Sequence, residues 1–203
     1  SKIAHITGTA DENRYFIAGK SEIYTLSLFG DGEFKTERTD IKKIGLIDFM
    51  FYHKESGYLI INTLVNGLYL YNPAERSVYN VGNVLTDISI NAIRTYGSSN
   101  NEVLIATDGG GVYKMDVKNK IFTHFLEEDH MRKNGMNGSI IKDLCIDRDG
   151  RIWNVIYPTG ITVYTDKYQP YTWIRHSEGN GNSLGDNRIN AILTDSAGDV
   201  WYA

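Results

Sequence analysis

Asp147-Arg148-Asp149-Gly150 sets two carboxylates two positions apart ahead of a glycine, as loops that bind hard divalent cations begin. Such loops go on to supply further oxygens and a late Glu, whereas Arg151-Ile152-Trp153 follows here. The segment therefore reads as a hairpin turn with Gly150 at positive φ, and Asp195-Ser196-Ala197-Gly198 reads the same way. Gly109-Gly110-Gly111 has the composition of a phosphate cradle, but neither a Lys-Ser/Thr pair nor a helix follows it, so it reads as a tight connection between strands. His5, His53, His124, His130 and His176 are scattered without the i, i+4 spacing of a metal site, so no metal and no cofactor are expected. No G-x-S-x-G elbow presents a serine, and no residue is assigned a catalytic role.

The chemistry that remains is recognition. A sugar site wants an aromatic face to stack on and amide, carboxylate or guanidinium groups to bond hydroxyls. Tyr157, Trp173, Arg175, His176, Asn187 and Arg188 supply that combination around two loops, Tyr157-Pro158-Thr159 and the stretch 176–182. Each also has a plainer use: Trp173 falls on a strand and packs, and Arg188 pairs with Asp186 or Glu178.

These residues are carried by a repeat. Tyr15-Phe16-Ile17-Ala18, Leu59-Ile60-Ile61-Asn62, Val103-Leu104-Ile105-Ala106, Ile152-Trp153-Asn154-Val155 and Val200-Trp201-Tyr202-Ala203 superpose, with marker residues Phe16, Ile60, Leu104, Trp153 and Trp201 spaced 44 to 49 residues apart. That is the period of propeller blades and too long for a leucine-rich repeat. Within each unit, short β-branched and aromatic runs alternate with turn signals, as a four-stranded antiparallel blade requires. In the fourth unit, strand A is expected from Ile141 to Asp147, B from Arg151 to Ile156, C from Ile161 to Thr165 and D near Tyr171 to Arg175. Strand A recurs as Leu46-Ile47-Asp48-Phe49, Ile90-Asn91-Ala92-Ile93, Ile141-Lys142-Asp143-Leu144 and Ile189-Asn190-Ala191-Ile192. The expected fold class is all-β, an incomplete ring of about four and a half blades: 1–40, 41–84, 85–135, 136–184 and a partial 185–203. In such blades the B-to-C and D-to-A connections emerge together, and there the loops differ most: 63–66, 107–108, 157–159 and 176–182.

Composition fits this reading. The sequence is 41% apolar and 12% aromatic, with 20 glycines and only three prolines, which suits strands joined by glycine turns. A formal charge of -4 with acids and bases interspersed offers no cationic surface to a phosphate backbone, so nucleic acid is not an expected partner. Cys145, the single cysteine, lies between Leu144 and Ile146 and is expected on a buried strand; it excludes an intrachain disulfide. No apolar stretch approaches the ~20 residues that span a bilayer. An unclosed ring leaves blade flanks uncovered, so a homodimer or pairing with further blades of a longer chain is expected.

The run Asn182-Ser183-Leu184-Gly185-Asp186-Asn187-Arg188-Ile189-Asn190-Ala191-Ile192, followed by Asp195-Ser196-Ala197-Gly198 and Trp201, resembles the two-component regulator propeller repeat. Ala106-Thr107-Asp108-Gly109-Gly110-Gly111-Val112-Tyr113 is similar to the second half of that repeat, and Asn66-Gly67-Leu68-Tyr69 is a weaker copy. The first two units depart from it: Phe16 and Ile60 stand at the Trp position, and Tyr52 and Tyr96 replace the turn Asp. The resemblance implies the periplasmic sensor region of a hybrid two-component system anchored in the inner membrane. It implies an oligosaccharide ligand and a downstream histidine kinase, the kinase not being among these 203 residues. Two other readings of a propeller stand beside it. A propeller lyase would carry a central metal, and an interaction platform of the WD-repeat type would carry Trp-Asp pairs where Asn154 and Tyr202 follow the Trp here.

Overall fold

A computed structural model describes residues 3–42, 44–97, 99–126, 138–165 and 171–203, with 171–173 described by their backbone. Among the described residues the secondary structure is all strand. The first sheet holds β1 (His5–Gly8), β2 (Arg14–Ala18), β3 (Ile23–Leu28) and β4 (Phe34–Arg38). The second holds β5 (Ile47–His53), β6 (Tyr58–Thr63), β7 (Gly67–Asn72) and β8 (Ser77–Gly82). The third holds β9 (Ile90–Tyr96), β10 (Glu102–Thr107), β11 (Val112–Asp116) and β12 (Ile121–Leu126), and the fourth β13 (Ile141–Ile146), β14 (Ile152–Ile156), β15 (Gly160–Tyr164) and β16 (Tyr171–Ile174). A pair, β17 (Ile192–Thr194) and β18 (Val200–Tyr202), follows. Each four-stranded sheet pairs its strands antiparallel in sequence order. The sheets fall into two compact units, Ser1–Ser89 with the first two and Ile90–Ala203 with the rest.

The second strand of each sheet forms the core. Leu59, Ile60 and Ile61 of β6 and Val103 to Ala106 of β10 are sealed from solvent, because these strands are flanked on both edges and covered on both faces. In the first unit Phe16, Ala18 and Ile23 pack against Ile47, Met50, Leu59 and Ile61. In the second, Leu104, Ala106 and Val112 pack against Leu144, Ile152 and Ile156, and the other side of the fourth sheet packs Cys145, Val155 and Ile161 against Leu184, Ile189 and Ile192. The fourth strands are the outer edges: every residue of β4 is exposed. First strands lie side by side, β1 by β5 in one unit and β9, β13 and β17 in succession in the other.

Two side-chain devices recur. Where the second strand turns into the third, Thr63 Oγ1 donates to Gly67 O at 3.0 Å and accepts from Asn66 N at 3.2 Å; Thr107 Oγ1 does the same with Gly111 O (2.8 Å) and Gly110 N (3.0 Å). At the opposite end, Asp147 Oδ1 accepts from the backbone N–H groups of Asp149 and Arg151 while Oδ2 accepts from Trp153 Nε1 (2.8 Å) and Arg151 Nε (2.6 Å). Asp195 repeats this with Ala197 N, Asp199 N and Trp201 Nε1 (2.7 Å). The Asp-x-x-Gly and Trp of the sequence pattern are thus the two halves of one hairpin clip, and both Asp147 oxygens are occupied by N–H donors.

The degenerate second sheet corrects the expected register. Tyr52 pairs with Leu59, the place Ile146 takes opposite Ile152, so the residue at the clip position is His53, not Tyr52. His53 is fully buried, with Nδ1 2.8 Å from Ser56 Oγ. Tyr96, opposite Glu102, does stand at that position in the third sheet.

From the second sheet on, first strands carry one residue more than their partners, whereas β1 pairs with β2 without a slip. The register slips at Asp48 in β5, Asn91 in β9 and Lys142 in β13, and both Asn190 N and Ala191 N donate to Ala203 O in the last pair. Such bulges sharpen the local twist and re-aim a side chain.

Cys145 lies on β13 and is 5% exposed. Burial pushes its thiol up. The thiolate is the reactive form. Ellman's reagent therefore leaves the native protein untouched and titrates one thiol after denaturation; prompt reaction of the native form is the contrary result.

Candidate ligand-binding loops

In the second unit the connections after second and fourth strands gather at one end of the sheets. Tyr157 N donates to Ile140 O at 3.0 Å, and Gly109 N and Gly111 N both donate to Ser139 O, so the loop 108–111, the entry to β13 and the loop after β14 are tied together. Lys142, on the bulge of β13, sits with Nζ 5.7 Å from the centroid of the Tyr157 ring and 3.6 Å from Asp108 Oδ1. Tyr157 is 41% exposed, so an aromatic residue meets solvent beside a cation and a carboxylate.

The loop that follows β16 is knit to itself. His176 N donates to Asn187 Oδ1 at 2.7 Å, and His176 Nδ1 lies 2.6 Å from Leu184 O; a carbonyl only accepts, so Nδ1 carries the proton. Ser183 Oγ accepts from Ser177 N at 3.0 Å. Arg188 clamps Asp186 through Nη2 (2.9 Å to Oδ2) and its own backbone N (2.9 Å to Oδ1), which holds the Asp186 carboxyl down at about 2. The same pairing raises the Arg188 pKa. Arg175 is exposed just after β16. Gly160, at φ +119°, lets the two loops meet: a Cβ there would lie 2.8 Å from Ile174 O and 3.5 Å from Asn187 Oδ1.

Of the six residues singled out in the sequence, His176 and Asn187 bond each other within the loop, and Tyr157 lies beside Lys142. Trp173 enters β16 opposite Thr162, and its side chain lies outside the described residues, as does His130. Of the two partners offered for Arg188, Asp186 is the one it takes. Lys142 and Asp108 were missed. Alternation along β13 gives no reason to choose Lys142; the bulge that re-aims it is a property of pairing, visible only once the strands are laid together. Among the described residues no group of three His, Cys, Asp or Glu side chains is placed to hold a metal ion. Nor is any described helix long and apolar enough to cross a membrane.

No family model and no curated protein matches this sequence. Solved structures do. The extracellular domain of BT4673 from B. thetaiotaomicron matches with a TM-score of 0.70 at 17% identity, over 97% of this chain and 26% of that one. The extracellular domain of the hybrid two-component system BT3049 from the same organism matches at 0.68 and 18%, over 98% and 25%. The β-propeller domain of Cps50 (Swd1) from Myceliophteria thermophila matches at 0.62 and 12%, over 98% and 66%. The chain folds as β-propeller blades. It spans about a quarter of the length of the two extracellular domains. In blade terms, the first strands are the inner strands and β4, β8, β12 and β16 the outer ones. The gathered loops are the B-to-C and D-to-A connections, where a rigid scaffold presents variable residues.

Proposed function

We propose that this segment is the ligand-sensing propeller of a hybrid two-component sensor, lying in the periplasm and taking an oligosaccharide on its B-to-C and D-to-A loops. The observation that carries the proposal is the fold match over nearly the whole chain to extracellular domains of such systems. The site chemistry supports it: an exposed Tyr157 beside Lys142, which also reaches Asp108, offers an aromatic group with a donor and acceptors around it, and none of these three activates a nucleophile or holds a proton for transfer. The segment is a binding module, part of a longer chain whose kinase reads ligand binding through the arrangement of a dimer.

A panel of plant and host oligosaccharides tests this by thermal melting. A glycan at 100 times its Kd adds about 2.7 kcal/mol, which for a chain of this size raises Tm by roughly 5–10 °C. Tyr157→Ala removes the shift while leaving the unliganded Tm nearly unchanged, because the ring is an exposed loop residue. If no glycan moves Tm of this segment or of the whole extracellular region, or if the full-length gene encodes no membrane span and kinase, the proposal fails.

A further inference from the structure

A second site, independent of the Tyr157 loops, lies at the hairpin end of the first two blades. A cleft of about 200 Å³ opens between the β1–β2 turn and the second blade, lined by Thr9, Asp11, Arg14, Phe16, Tyr52 and Pro73. Its floor is aromatic: Phe16 is 2% exposed and its ring centroid is 5.7 Å from that of Tyr52 and 6.4 Å from that of Tyr71. Its rim is preformed. Thr9 Oγ1 donates to Asp11 O and accepts from Asp11 N, both at 3.1 Å, and Asp11 Oδ1 accepts from Asn13 N at 3.0 Å. Arg14 N donates to Asp11 O, and Leu28 N to Asn13 O, which fixes where the Arg14 side chain leaves the strand.

Arg14 is what makes the cleft more than a gap between blades. Its guanidinium has no salt bridge among the described residues, whereas Arg38, Arg76, Arg94, Arg151 and Arg188 are each paired with a carboxylate. Arg14 lines the same cleft as Phe16 and Tyr52, and its charge opposes the rise that burial gives the Tyr52 hydroxyl pKa. A planar fork of N–H donors matches a carboxylate bidentately. The volume is below the roughly 300–1,000 Å³ of pockets that enclose a drug-sized ligand, so the cleft holds one ring-sized unit.

We infer that this cleft is a binding subsite for a carboxylate-bearing ring, with the carboxylate on the Arg14 guanidinium and the ring against Tyr52. Asp11 and Thr9 at the rim accept hydrogen bonds, which suits a hydroxylated ring such as a hexuronate over a bare aromatic acid.

NMR titration of the 203-residue chain tests the assignment, with galacturonate and benzoate as the two carboxylate sources and galactose and benzyl alcohol as their neutral counterparts. The expected result is saturable perturbation of the Arg14 Nε–H and Tyr52 ring signals by the carboxylates, at roughly millimolar Kd for a single small unit, with galacturonate tighter than benzoate. Neutral counterparts bind at least tenfold more weakly. Arg14→Gln, at an exposed strand end, keeps the wild-type Tm and loses at least tenfold in affinity; Arg14→Lys keeps the charge but not the fork and loses severalfold. Arg38→Gln, on the outer strand of the same blade and paired with Glu22, binds as wild type does. Equal perturbation by galactose, unchanged affinity in Arg14→Gln, or no perturbation of these signals by either acid overturns the inference, and a tighter benzoate reassigns the source to aromatic acids.

Discussion

Gly67→Ala lowers the stability of the protein by on the order of 3 kcal/mol, and Gly109→Ala by about 1 kcal/mol, although both change a glycine at positive φ in a B-to-C connection. Gly67 has φ +74° and Gly109 φ +110°, so each substitution places an L residue in a region it rarely adopts. Around them the resemblance ends. A Cβ on Gly67 would collide with the carbonyl of Gly82 and lie 2.8 Å from that of Val84 and 3.1 Å from Asn83 Cα, all backbone, where the chain leaves β8. A Cβ on Gly109 meets nothing within 4 Å. Backbone cannot step aside as a side chain does, so Gly67→Ala must move the outer strand of its blade. Urea unfolding of the two variants beside the wild type measures the difference; equal losses would mean that φ alone sets the penalty and the close approach contributes nothing.

Asp147→Asn destabilises by about 2–3 kcal/mol, because an amide cannot accept all the N–H donors that the carboxylate gathers, and its own NH2 faces Trp153 Nε1 or Arg151 Nε. Burial works against the Asp147 charge, yet the hydrogen bonds from Trp153 and Arg151 outweigh it and hold the carboxyl below the usual carboxylate range. A carboxyl with a folded pKa lower than its unfolded one contributes stability that is complete above the unfolded value and is lost as pH falls through the folded one. Wild-type protein therefore loses stability on acidification below about pH 4, and the Asp147→Asn variant shows a shallower loss over the same window. The equivalent Asp195→Asn exchange, in a solvent-exposed clip, has a smaller effect. Denaturant midpoints across pH 2.5 to 7 give both slopes, and parallel curves for wild type and Asp147→Asn would remove the clip from the account.

The sequence carries the blade pattern because each strand repeats at a nearly fixed interval, and five weak signals in phase outweigh the ambiguity of any four-residue apolar run. Strands such as β14, expected to end at Ile156, end there. Where phase is read through a loop of altered length it slips. Four residues separate His53 from Tyr58 and three separate Asp147 from Arg151, and so the clip position in the second blade falls one residue beyond Tyr52. The loop residues were legible as types but not as partners. Nothing in the spacing says that Asn187 accepts from His176, because that bond closes an 11-residue loop whose path the pattern leaves open. The Arg14 cleft was invisible for a related reason: its walls come from hairpins of two successive repeats, and a repeat seen as a unit hides what forms between units.

The extra residue on the inner strands β5, β9 and β13 gives the blades a place to diverge. Asp48, Asn91 and Lys142 occupy one backbone position in three repeats, half-buried and outside the ladder of paired residues. Each does something different: Asp48 accepts from Asn62 and Ser89, Asn91 donates to Ile141 O, and Lys142 reaches Asp108 and Tyr157. A duplicated blade can therefore change the charge at this position through a single codon, with the backbone ladder unaltered. Copying a repeat and then editing one such codon is a short evolutionary path from one specificity to another, and the same codons are the economical choice for a combinatorial library.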